Sequence, residues 1–89
     1  MSALAAPLGT ALRQLRDQRG WSQELLAEKA DLNRSYVGEL ERGQVLASLL
    51  TLEKLARAFG LSTAFLLSHA EQIATSRSLR GVQLTSIAC

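Results

Sequence analysis

QELLAEKADLNRSYVGELER, residues 23–42, is the stretch whose reading decides the fold. It divides into two short helices joined by a tight turn. Leu26, Ala27, Ala30, Leu32, Val37 and Leu40 stand where two crossed helices bury apolar side chains. Ser22 is placed to cap the first helix, and Glu24 and Glu28 favour its N-terminal half. Asn33 caps the second, and Gly43 follows its end. Only Ala30, Asp31 and Leu32 lie between the two, and small Ala27 leaves room for one helix to cross the other.

Opposite Val37 and Leu40, the second helix is expected to expose Asn33, Arg34, Ser35, Gly38, Glu39 and Arg42. Hydrogen-bonding side chains with a glycine among them suit base edges and phosphates in a major groove, which admits one helix. Here the sequence resembles the helix-turn-helix of the Cro/CI (XRE-like) DNA-binding family. The matching pieces are Ser22-Gln23-Glu24, Leu26-Ala27, Leu32-Asn33-Arg34-Ser35-Tyr36-Val37 and Leu40-Glu41-Arg42-Gly43, and the likeness runs from about Leu8 to Leu67.

The resemblance implies an all-α, five-helix, lambda-repressor-like DNA-binding domain over residues 7–69, with a C-terminal tail at 70–89 serving dimerisation or left disordered. It implies that Gln23 donates to a phosphate and braces a side chain of the recognition helix. Arg34, Ser35 and Glu39 match positions that reach base edges. Arg34 can pair with guanine through two hydrogen bonds, while Glu39 either accepts from a cytosine amino group or holds Arg34 or Arg42 in place. Asn33 is first a cap and then a phosphate contact. Tyr36 packs against the first helix with its hydroxyl at the surface, within reach of backbone. An arginine matching Arg16 pairs in the family with the glutamate matching Glu41, so a structural Arg16–Glu41 bridge is expected.

Working outward, Pro7 is tolerated in a first helical turn, which predicts a helix from about there to Arg19, ended by Gly20. Leu8, Ala11, Leu12 and Leu15 line its inner side. Each later helix repeats one device, an apolar residue before the cap facing another five places on. The pairs are Trp21 and Leu26, Leu32 and Val37, Ala47 and Leu52, Leu61 and Leu66, each spaced as a hydrophobic staple. A fourth helix is predicted over Leu49–Phe59, with Leu49, Leu52, Leu55, Ala56 and Phe59 inside and Gly60 past its end. A fifth runs from Thr63 to about Leu67 or slightly beyond, with Phe65 and Leu66 closing the core. From Ala70 the helical period is lost. Val82–Thr85 alternates and is rich in β-branched residues, so a short strand and a disordered tail both stand open.

Composition excludes more than it suggests. Eighty-nine residues allow one small domain. No apolar run spans a bilayer, and Met1–Pro7 lacks the features of a signal peptide, so a cytoplasmic location without membrane association is expected. One cysteine, Cys89, and one histidine, His69, offer no disulfide framework, metal cluster or thiol catalytic pair. No cofactor and no enzymatic activity are expected. Net charge is +2, and through Gly43 six basic residues meet six acidic ones. Without a basic stripe, non-specific affinity for phosphates is weak, and two copies are needed to bind DNA usefully.

Three departures from the family's pattern qualify these expectations. Asp31 stands where glycine is usual, Gln44-Val45-Leu46-Ala47 replaces a loop of basic or amide residues, and Leu25 and Leu50 are apolar where polar residues are general. If contiguous, Leu25, Val45, Leu46 and Leu50 form an exposed apolar patch, a partner surface. The leading expectation is a homodimeric, sequence-specific regulator of transcription, of the phage-repressor or restriction-controller kind. The alternative is a protein-interaction module, such as the antitoxin half of a toxin–antitoxin pair, bound through the apolar loop or the tail.

Overall fold

The computed structural model describes residues 2–87, with side chains through 77. Five helices form: α1 (Ala5–Arg19), α2 (Gln23–Ala30), α3 (Arg34–Glu41), α4 (Leu49–Phe59) and α5 (Thr63–Ile87). The expected caps are in place. The hydroxyls of Ser22, Ser48 and Ser62 accept from the backbone N–H of Leu25, Thr51 and Phe65 at 3.0, 3.1 and 3.0 Å, satisfying donors that a helix start leaves free. α1, α2 and α4 end on the left-handed residues Gly20, Asp31 and Gly60. Asp31, with φ 55°, is the one described non-glycine residue in that region. The Lys54 ammonium donates to its carbonyl at 3.2 Å.

α2 crosses α3, α1 lies against α3 and α5, and α4 fills the space between α2 and α5. Their shared core is Leu8, Ala11, Leu12 and Leu15 from α1, Leu26, Ala27 and Ala30 from α2, Val37 and Leu40 from α3, with Leu52, Leu55, Ala56, Phe59 and Leu66 behind them. Leu26, Val37, Leu52 and Leu66 are buried, while Trp21, Leu32, Ala47 and Leu61 are half-buried against the core. Trp21 also stacks on Phe59, with centroids 5.5 Å apart and planes 7° from parallel. The Arg19 guanidinium lies over both rings, and Lys29 over Trp21.

Two expected core residues face solvent instead. Leu49 is 68% and Phe65 55% exposed. Each sits in the first turn of its helix, where the chain has not yet turned its inner stripe onto the core. Thr51 takes the inward place near the start of α4.

α5 departs furthest from expectation. It continues past Leu67 and through Val82–Thr85, which are helical rather than extended. The cause lies on α1. Leu66 and Ala70 are buried and Ile73 half-buried, four and three residues apart, so a narrow stripe of one face continues beyond the predicted end. His69 Nε2 meets Gln14 Oε1 at 3.1 Å, and Arg77 donates to Thr10 Oγ1 at 2.8 Å. As α5 advances its partners on α1 recede, so the two run antiparallel. The side chains expected to form a dimerising tail from Ser78 onward, and Cys89 altogether, lie outside the described residues.

Candidate nucleic-acid interface

α3 is held by what lies behind it. Asn33 Oδ1 accepts from the Ser35 N–H at 2.8 Å, so Asn33 is the cap the sequence predicts. Val37 and Leu40 point into the core at 0% and 1% exposure. Gly9 of α1 fixes how closely the two helices approach. A Cβ built there would stand 2.5 Å from the carbonyl oxygens of both Leu40 and Glu41. Glycine costs an α-helix interior about 1 kcal/mol relative to alanine, and that cost was the sequence signal of a close approach at Gly9.

The expected Arg16–Glu41 bridge is formed. Arg16 donates from Nε to Glu41 Oε2 at 2.8 Å and from Nη2 to Oε1 at 3.0 Å, a bidentate pair. Its Nη1 donates to the Trp21 carbonyl at 2.9 Å, which ties the end of α1 to the start of α2. Gln23 Nε2 supplies a third bond to Glu41, at 2.9 Å. The Glu41 side chain is 1% exposed. Burial pushes its pKa up, but the bonds from Arg16 and Gln23 outweigh that and hold it below the ordinary value. Arg16 is shifted up, chiefly by its hydrogen bond to Glu41. Gln23 therefore braces the end of α3 with one amide hydrogen.

Gln23, Arg34, Ser35, Gly38, Glu39 and Arg42 line one shallow depression of about 280 Å³ on the outer face of α3. Arg34, Ser35 and Arg42 are exposed, and Glu39 is half-buried. Gly38 corrects the sequence reading, because it is buried rather than exposed and only borders the depression. The Arg42 guanidinium lies 3.1 Å from where its Cβ would be, so the missing side chain makes room for Arg42 along the helix. Arg42 Nε in turn donates to Gln44 Oε1 at 3.2 Å. Gln44, from the loop that departs from the family's pattern, thus stands beside the site.

Tyr36 is half-buried against the core, and its hydroxyl meets Thr51 Oγ1 of α4 at 3.3 Å. Thr51 Oγ1 also accepts from the Ser48 hydroxyl at 3.0 Å, so α3 is strapped to the capped start of α4. Next to that strap Leu46, Leu49 and Leu50 are 61–68% exposed, whereas Leu25 and Val45 are half-buried. Among the described residues, no group of three or more acidic, histidine or cysteine side chains is placed to hold a metal. Among the described residues, no helix is long and apolar enough to cross a membrane.

With that geometry in view, likeness to known proteins becomes informative. The helix-turn-helix family model HTH_3 matches residues 12–66. The HTH-type transcriptional regulator SutR of Escherichia coli (strain K12) is 42% identical over 73% of this chain and 35% of its own length. The immunity repressor protein of Bacillus phage phi105 is 40% identical over 64% of this chain and 40% of its own. The chain thus spans less than half the length of these two relatives. Among solved structures, the restriction-modification controller protein C.AhdI from Aeromonas hydrophila is 45% identical. The match has a TM-score of 0.69 and covers 73% of this chain and 98% of that one.

Proposed function

The chain belongs to the helix-turn-helix family, and from that membership we propose that it is a sequence-specific DNA-binding regulator of transcription, acting as a repressor and as a homodimer. The observation that carries the proposal is the depression on α3, where five polar side chains meet around Gly38 on a helix braced from behind. The regulator and repressor names of the relatives support the same reading.

In the proposed complex α3, extended by Arg42, enters the major groove. Arg34 pairs with a guanine, and Ser35 contacts a base edge or phosphate beside it. The second amide hydrogen of Gln23, the backbone at the start of α2, Asn33, Tyr36 and Arg42 hold phosphates, which fix register without reading sequence. No catalytic step and no cofactor enter. The protein acts in the cytoplasm, where its DNA is.

Two copies are needed because net charge is only +2 and one helix reads few base pairs. The apolar surface of Leu46, Leu49 and Leu50 follows the recognition helix directly, and a two-fold contact there covers it. Half-sites then lie one helical turn, about 10 bp, apart. The same exposed leucines favour a second reading, in which a different protein binds there.

Selection of bound sites from random duplex DNA, followed by anisotropy on single-base variants, tests the proposal. Arg34→Ala is expected to lose about 1–3 kcal/mol at one base pair, and Gln23→Ala to weaken all sites alike. Sedimentation should give a dimer that Leu49→Lys or Leu50→Lys dissociates. Binding of no duplex at low salt would leave the protein-partner reading in its place.

A further inference from the structure

Glu39 is a carboxylate on a surface that is to meet a polyanion. It lines the same depression as Arg34 and Arg42 and is half-buried there. Sequence alone left two roles open for it, holding an arginine or reading a base. The arginines are placed against the first. Among the described residues no cation lies within 4.0 Å of the Glu39 carboxylate. Arg42, three residues on, lies over Gly38 and donates to Gln44.

We infer that Glu39 is a specificity-determining residue of this interface and that its target is the amino group of a cytosine, an inference that rests on the DNA-reading proposal above. An unpaired carboxylate approaching DNA is repelled by phosphates and by every acceptor on a base edge. Only an amino donor compensates, and the major groove offers two, cytosine N4 and adenine N6. Adenine N6 is flanked by acceptors on both sides, its own N7 and thymine O4. Cytosine N4 is flanked by guanine O6 on one side and by a C–H on the other, so it repels a carboxylate less. The cytosine's partner guanine offers N7 and O6, acceptors that suit a neighbouring arginine. Arg34 and Glu39 are five residues apart, about 7.5 Å along the helix, so their targets fall within about two base-pair steps. Glu39 therefore filters by penalty: sites lacking the cytosine meet an uncompensated charge.

The test uses the full chain, a duplex selected from random sequence, and every single-base variant of it. Wild type should prefer cytosine at one position of each half-site by about tenfold or more. Glu39→Ala should abolish that preference and bind the non-cytosine variants more tightly than wild type does. Glu39→Gln, whose amide pairs with adenine, should move the preference toward adenine at that position alone. Thermal melting of both variants checks that the fold is kept. Equal weakening of every duplex by Glu39→Ala, or equal tightening with the base profile unchanged, would overturn the inference while leaving DNA reading intact. Failure of wild type to bind any duplex would remove both.

Discussion

The two faces of α3 are built on opposite rules. Toward the core, the ionic and apolar groups are met from within the protein: Val37 and Leu40 by the helices around them, Glu41 by three hydrogen bonds from α1 and α2, and the backbone itself by Gly9. Toward solvent, Arg34, Ser35 and Glu39 form no side-chain hydrogen bond or ion pair with any described residue. An eight-residue helix is too short to hold itself in water, so the inner face supplies its stability. The outer face is thereby freed from any structural duty and keeps its hydrogen-bonding capacity for a ligand. Substitutions on the two faces should therefore be read by different measurements.

The largest effect is expected from Arg16→Ala, which strands the buried Glu41 carboxylate. A loss of about 3–5 kcal/mol in urea denaturation is anticipated, and an unchanged midpoint would mean that the inner face does not depend on this pair. The same carboxylate gives a pH signature. Because its native pKa lies below the unfolded one, its contribution is complete above the ordinary carboxylate value and is lost as pH falls through the lower native value. Stability of the wild type should drop in that acidic window, and Glu41→Gln, less stable at neutral pH, should show a flatter profile there.

Gly9→Ala comes next. Its methyl would meet two backbone oxygens that no rotamer change can move, so about 1–3 kcal/mol should be lost as α1 and α3 are pushed apart. DNA affinity should fall further than stability does, since the outer face is tilted with the helix. Equal affinity for DNA in the folded variant would show that the crossing angle is not transmitted.

Arg34→Ala sharpens the contrast from the other side. Removing an exposed, unpaired side chain should change stability by no more than about 0.5 kcal/mol. A larger destabilisation by thermal melting would mean that the outer face carries structure after all.

A last, small effect, a gain rather than a loss, belongs to the turn that joins the two helices. Asp31→Gly removes the left-handed penalty, about 1–2 kcal/mol for an L-residue, and gives up the exposed contact of its carboxylate with Lys54 and some chain entropy. A net gain below about 1 kcal/mol is expected in the same denaturation experiment.

What the sequence made legible was local. Caps and staples sit within six residues of one another, so they appear as spacing, and all the helix starts they mark are present. The Arg16–Glu41 bridge spans 25 residues and was reached through family likeness rather than through spacing. α5 was misjudged because its inner stripe is narrow, with small Ala70 between Leu66 and Ile73, and its continuation depends on α1. Six of the eight residues expected at the interface line the depression, while Asn33 and Tyr36 do not, and its shape was not legible. Gly38 was taken for exposed surface because sequence gives a residue's angle around a helix, not which neighbour lies over it. Thr51 was unreadable for the same reason, since its hydroxyl matters only once Tyr36 is brought to it.

The stacked pair of Trp21 and Phe59 provides an optical consequence. Trp21 is the sole tryptophan of the chain, and its indole rests on Phe59 between Arg19 and Lys29, where α1 and α4 end. Its emission therefore reports whether these helix ends are together. None of the residues lining the α3 depression is part of the stack. A titration with duplex DNA should leave the wavelength of that emission where it is, while urea should shift it to the red. One intrinsic fluorophore thus separates occupation of the groove-reading face from loss of the fold in a single unlabelled sample.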